Sequence, residues 1–257
     1  MRVFVIAEAG ICHDGELGKA FKLCDAAKAC GADAVKFQHF SSQALWNDDR
    51  IKHLELTDAE VQVIAKHCAY IGIEFMATPF GVRECEFLAP LVKRMKVASG
   101  CLQKRGLLAA VGATHLPVIL STGMQTLESV RVAVEAMGYP ADLTLLHCTS
   151  AYPCPLDQVN LRAMDSLADD WAYPVGFSDH TQGITVAIAA AARGATVLEK
   201  HLTLDRNAEG PDHKASIEPT EFRVMVSAIR TVEAALGDGV KRAQPSEAET
   251  RRAWYGD

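Results

Sequence analysis

Short apolar runs alternate with longer segments of helical period along the whole chain. The runs at 3–7, 34–37, 74–77, 94–98, 118–120, 143–147, 175–177 and 196–199 predict eight strands. The spacing between and after them predicts helices at 17–30, 58–71, 83–91, 106–113, 127–137, 156–167, 184–192 and 218–236. Thr57 ahead of Asp58 and Glu60, and Thr126 ahead of Glu128, are start signals. Gly31, Gly72, Gly138 and Gly194 stand where helices stop. Strict strand–helix alternation implies a parallel sheet with crossover helices. Eight such units favour closure into a (β/α)₈ TIM barrel over an open doubly wound sheet.

The length of 257 residues suits one such domain. We expect the barrel domain to occupy 1–240 and a polar C-terminal tail 241–257. A net charge of −6 argues against a general nucleic-acid partner. The longest apolar helix candidate, 184–192, is too short to span a membrane and runs into Arg193, so no membrane partner is expected. Met1-Arg2 leads straight into the first strand with no secretory signal, and the eight cysteines form no C-x-x-C pair. They read as reduced, mostly buried thiols of a cytoplasmic protein.

In a barrel of this kind function gathers where the strands end at their C-terminal side. Those positions here are rich in chemistry. Lys36 and Lys96 interrupt otherwise apolar strands, and lysine is seldom buried without a partner. Pointing into the barrel mouth, they would meet an anion such as a phosphate or carboxylate. Ser99, Ser121, Ser150 and Ser178 bring hydroxyls to the same rim, and Gly100 and Gly123 let backbone N–H groups approach. The bland alternative is that the lysines pair with Glu8 or Glu199 simply to hold the barrel together. His180 and His201 end adjacent strands at matching depth, so their imidazoles can converge. Two neutral imidazoles with open positions suit a divalent ion used as a Lewis acid, not a closed structural zinc site; a hydrogen-bonded structural pair is the other reading. Glu8 is expected to face them across the barrel. His13, His39, His53, His67 and His115 read as ordinary loop, helix or surface residues. The polar loop 207–216 is long enough to cover the mouth, where Asp212 would orient substrate hydroxyls.

The stretches IAEAG with HDG, DAVKFQ, ATPFG, KVASG, PVILSTGM, LLHCTSAYP, GFSDHTQGI, LEKHLTLD and GPDHKAS, spread over nearly the whole chain, together resemble the sialic acid synthase family. That family comprises the phosphoenolpyruvate-dependent synthases of nine-carbon sugar acids. The resemblance implies a TIM barrel that condenses phosphoenolpyruvate with an N-acetylmannosamine-like amino-sugar aldehyde. It implies a divalent metal, Mn²⁺ or Mg²⁺, on His180 and His201. It matches Lys36, Thr78, Lys96, Ser99, Ser121 and Ser178 to positions that hold phosphoenolpyruvate, and Glu8, Tyr152 and Asp212 to positions near the sugar or the reacting carbons. Cys101 stands where the family commonly has an acidic residue, and Ser150 where it commonly has Asn. Members usually continue into a small antifreeze-like domain that reaches the partner subunit's sugar site. The expectation is therefore a homodimer with the same reaction type, acting on a different aldehyde acceptor or completed by a separate antifreeze-like-domain protein. Two competing readings are a Schiff-base aldolase using Lys36 or Lys96, and a catalytically weak binding relative.

Overall fold

The computed structural model describes residues 2–42 and 49–256; positions 1 and 257, which end the expected barrel and tail segments, lie outside them, as do 43–48. Eight βα units follow one another: β1 (Phe4–Gly10), α1 (Leu17–Ala29), β2 (Ala34–His39), α2 (Asp58–Ile71), β3 (Glu74–Pro79), α3 (Val82–Leu88), β4 (Met95–Val97), α4 (Arg105–Ala113), β5 (Val118–Ser121), α5 (Leu127–Ala136), β6 (Leu143–His147), α6 (Ala163–Asp170), β7 (Val175–Asp179), α7 (Thr185–Ala192), β8 (Val197–His201) and α8 (Pro219–Leu236). The eight parallel strands run in the order β3-β2-β1-β8-β7-β6-β5-β4. β3 and β4 lie side by side across the remaining seam, so the sheet curls into a nearly closed (β/α)₈ barrel.

Because side chains alternate along a strand, each strand feeds two regions. One set packs outward against the helices, where Val5, Val35, Phe37, Phe75, Val97, Leu120 and Leu198 join the main hydrophobic core. The other points into the barrel. Its apolar plug is Ile6, Ala34, Met76, Ile119, Leu146 and Val197, closed by Phe4. One step further toward the strand ends the interior turns ionic, with Glu8 opposite Lys36 and Ser178 opposite Glu199 in register.

The helix signals hold. Thr57 accepts from the Glu60 N–H and Glu60 returns the bond, a full capping box, and the four stop glycines all take positive φ. The box at Thr126 is closed by Ser129. Two expectations need correction. The strand expected at 94–98 is only Met95–Val97, because Ser99–Cys101 turns into a 3₁₀ helix. The helix expected at 156–167 is broken into a 3₁₀ turn, Leu156–Gln158, and α6; Asn160 between them sits at φ 48°, outside the helical region. The tail carries a short, exposed helix α9 (Ala248–Tyr255). Among the described residues no helix is long and apolar enough to cross a membrane.

Candidate active site

A cavity of about 710 Å³ opens at the C-terminal ends of the strands, and every site residue expected from the sequence lines it. Glu8, Lys36, Thr78, Lys96, Ser99, Ser121, Ser178, His180 and His201 are buried in its walls. Ser150, Tyr152 and Asp212 come from loops nearer its mouth.

The floor is a chain of alternating charges. Lys36 Nζ lies 2.6 Å from Glu8 Oε2 and 3.6 Å from Glu199 Oε2, and Lys96 Nζ lies 3.9 Å from the same Glu199 oxygen. Lys36 also donates to Thr78 Oγ1 at 3.1 Å, and Lys96 to Ser121 Oγ at 2.7 Å. Pairing with glutamates and lining the cavity are thus both true of these lysines. Lys96, farther from its carboxylate, has its pKa lowered by burial, whereas the two flanking glutamates outweigh burial at Lys36 and raise it. Glu199 was read from sequence only as a pairing partner. It is the hub of the floor, reached by both lysines and by the Ser178 hydroxyl, which donates to it at 3.1 Å. The signal was present in its position two residues before His201 on a strand whose alternate side chains face inward.

A second cluster surrounds Gly123. Its N–H donates to Ser99 Oγ at 2.9 Å, and a Cβ built on it would lie 2.4 Å from Ser150 Oγ and 3.1 Å from Ser99 Oγ. Only glycine fits here, because any side chain would run into the two hydroxyls and the Cys148 sulfur, 3.0 Å away.

At the rim the two imidazoles meet, with ring centroids 5.6 Å apart. His180 Nδ1 lies 2.7 Å from the Thr149 carbonyl oxygen, so it is the donor and Nε2 keeps its lone pair. Burial, reinforced by His201, lowers the His180 pKa to about 4, which keeps it neutral at neutral pH. His201 Nδ1 and Asp212 Oδ2 are both buried without a hydrogen bond, 3.7 Å apart. Behind them Lys200 donates to Asp179 Oδ2 at 2.8 Å in a fully buried ion pair that ties the ends of β7 and β8 together. Among the described residues no group of three or more His, Cys, Asp or Glu side chains is arranged to hold a metal. The donors present, one lone pair fixed by a carbonyl and one unpartnered imidazole nitrogen, fit a divalent ion that takes its other ligands from water or substrate.

The expectation that Glu8 faces the histidines across the barrel is corrected. β1 and β8 are neighbours and Glu8 pairs in register with His201, so the carboxylate stands beside that imidazole. His13 and His39 are also not surface residues: His13 is fully buried, with Nδ1 accepting from the Gly15 N–H, and His39 pairs with Asp58. The eight cysteines are all buried free thiols.

Comparison with known proteins agrees with this architecture. The model of the NeuB family matches residues 23–241. The chain is similar to N,N'-diacetyllegionaminic acid synthase of Legionella pneumophila, with 41% identity covering 98% of this chain and 78% of that protein. It is similar to N-acetylneuraminate-9-phosphate synthase of Homo sapiens, with 34% identity covering 95% and 74%. The crystal structure of N-acetylneuraminic acid (sialic acid) synthetase from Leptospira borgpetersenii, in complex with citrate, superposes with a TM-score of 0.93 at 33% identity, covering 100% of this chain and 92% of that one. The chain belongs to the NeuB family of phosphoenolpyruvate-dependent sugar-acid synthases, and is an enzyme that forms carbon–carbon bonds.

Proposed function

We propose that this enzyme condenses phosphoenolpyruvate with an N-acetylmannosamine-like amino-sugar aldehyde, giving a sialic-acid-type nonulosonic acid and phosphate. The observation that carries the reading is the cavity itself: two buried lysines on its floor, each donating to a hydroxyl, below a pair of converging imidazoles at the rim. Lys96, Ser99 and Ser121 would bind one anionic end of phosphoenolpyruvate, and Lys36, Thr78 and Ser178 the other. Ser150 and Tyr152 would line the acceptor side. Asp212 would orient acceptor hydroxyls. Ile11, Phe80, Met124 and Pro211 give the outer cavity apolar walls suited to the methyls of acetamido groups.

The chemistry follows from these positions. C3 of the enol attacks the aldehyde carbon, and positive charge develops at C2. The Glu8 carboxylate stabilises that charge and takes a proton from the water that adds there. Burial, the largest influence, lifts the Glu8 carboxyl above the ordinary range despite Lys36, which suits it to accept that proton. The first water proton ends on the former aldehyde oxygen, which becomes a hydroxyl. The C2–O bond to phosphate then breaks, the C2 hydroxyl becoming the keto oxygen as its proton leaves with the phosphate, which the lysines hold. Synthases of this family are in general metal-dependent. His180 and His201 would hold the ion, for which we propose Mn²⁺ or Mg²⁺; when bound it supplies Lewis-acid polarisation of the aldehyde. We further propose a cytoplasmic homodimer.

The test is phosphate release from phosphoenolpyruvate with Mn²⁺ against a panel of amino-sugar aldehydes. Release that needs one acceptor and stops on chelation supports the reading and names the sugar. The depressed pKa of Lys96 favours one rival, a Schiff-base aldolase. Borohydride trapping of a lysine adduct would favour that rival; the mechanism proposed here forms no imine.

A further inference from the structure

The loops after β1 and β8 are 199 positions apart at their point of contact, yet a buried polar network fastens them. His213 Nε2 lies 2.9 Å from Asp14 Oδ1, and Lys19 donates to the other Asp14 oxygen at 3.0 Å. His213 Nδ1 lies 2.7 Å from Thr203 Oγ1. His213 and Thr203 are buried. A carboxylate cannot donate, so Nε2–H is the donor to Asp14. Three positions on, the Ser216 hydroxyl donates to the Asp212 carbonyl at 2.7 Å. Gly210, at φ +148°, lets the turn pass so close that a Cβ would lie 2.7 Å from the His213 ring.

All of these fasteners grip the backbone on either side of Asp212. The Asp212 side chain itself is held by little: Oδ2 is buried without a hydrogen bond among the described residues. It still reaches the cavity, so close to β1 that a Cβ on Gly10 would lie 2.7 Å from Oδ2. Its placement is therefore set by the backbone.

We infer that Asp14 and His213 form a clasp between the β1 and β8 loops that positions the Asp212 carboxylate over the catalytic cavity. Both are positioning residues: neither lines the cavity, and each acts through Asp212. The inference rests on the proposed function only in giving Asp212 a task at the acceptor sugar.

The test uses the whole chain. His213→Gln and Asp14→Ala should each lower kcat/KM for the acceptor by about 10- to 100-fold, the scale of a misplaced catalytic group. Phosphoenolpyruvate binding, titrated directly, should stay within about twofold of wild type, a split that general destabilisation would not produce. Asp14→Asn, which keeps an acceptor for Nε2–H, should recover part of the loss. On an Asp212→Asn background, His213→Gln should cost almost nothing more, because the two changes remove one function. Fully additive losses, or no loss, would overturn the clasp. Hydrogen exchange gives a readout free of turnover: the amides of 207–216 should lose protection in His213→Gln and Asp14→Ala. Unchanged protection would also overturn it. If wild type releases phosphate with no acceptor while exchange rises in both variants, the fastening stands and it is the functional reading that fails.

Discussion

Glu8 and Glu199 stand on neighbouring strands and share the ammonium of Lys36, at 2.6 and 3.6 Å, yet their proton affinities are driven apart. At Glu8 burial outweighs Lys36 and the pKa rises. At Glu199 burial pushes the same way, but Lys36 and Lys96 together override it and hold the carboxyl at about 2. Two carboxylates in one cavity are thereby set apart, one with raised proton affinity, as the role proposed for Glu8 requires, and one held ionised.

The division sets a pH profile. If Glu8 works ionised, kcat/KM rises with pH through its elevated pKa, giving an acidic limb above the ordinary carboxylate range. Glu8→Gln should lower kcat by about 10²- to 10⁴-fold and remove that limb. Glu199→Gln should weaken substrate binding and leave the limb in place. Steady-state rates across pH in the three proteins check this; a limb surviving in Glu8→Gln assigns it elsewhere.

The close packing at Gly123 predicts a lesion in substrate binding. In Gly123→Ala the new methyl meets Ser150 Oγ at 2.4 Å and crowds Ser99, both buried or half-buried. We expect phosphoenolpyruvate to bind about tenfold weaker by calorimetry, beside a stability loss of about 1–3 kcal/mol, the usual cost of one overpacked methyl. Unaltered binding would remove the substrate anion from this end of the cavity.

Burial of neutral histidines predicts the response to acid. His13 and His180 are both lowered to about 4, chiefly by burial. Between that value and the unfolded histidine range near 6.5 the unfolded chain binds more protons, so stability falls as pH falls through this window. Each histidine contributes about 1.4 kcal/mol per pH unit there. Glu199, held low, adds a further loss below the ordinary glutamate range. Denaturant unfolding of wild type and His13→Asn between pH 7 and 4.5 should show the shallower slope in the variant. Parallel slopes would mean that His13 titrates normally.

The buried Asp179–Lys200 pair predicts a coupled effect. Lys200→Met leaves Asp179 charged and unpaired in the interior, at a cost of about 3–5 kcal/mol. Adding Asp179→Asn should restore much of it, which denaturation of the two variants would measure. Equal stability of single and double variants would show that the pair is not coupled.

Much of this site was legible before any coordinates. Lys36 and Lys96 declared themselves by interrupting apolar strands, and the strand-end rule carried His180 and His201 to the same rim. The capping residues marked the helix starts because their chemistry is local. What escaped depends on contacts between distant segments. Glu199 looked like a structural partner because its second lysine comes from β4, on the far side of the sheet order. His13 and His213 sit in polar loops, and nothing local reveals that each is buried by the other loops around the mouth. The place of Glu8 was legible too: closure of eight sequential strands already makes β1 and β8 neighbours, so the expectation of Glu8 across from His201 did not follow from the predicted barrel. Asn160 broke an expected helix through a backbone conformation that helical periodicity does not record.

The most direct test of the proposed reaction is the fate of the bridging oxygen of phosphoenolpyruvate. With ¹⁸O at the C2–O–P bridge, a complementary amino-sugar acceptor and Mn²⁺, cleavage of the C2–O bond predicts that the label leaves in inorganic phosphate. Label retained in the sugar acid, or phosphate released at the same rate without any acceptor, would contradict the condensation proposed for this cavity.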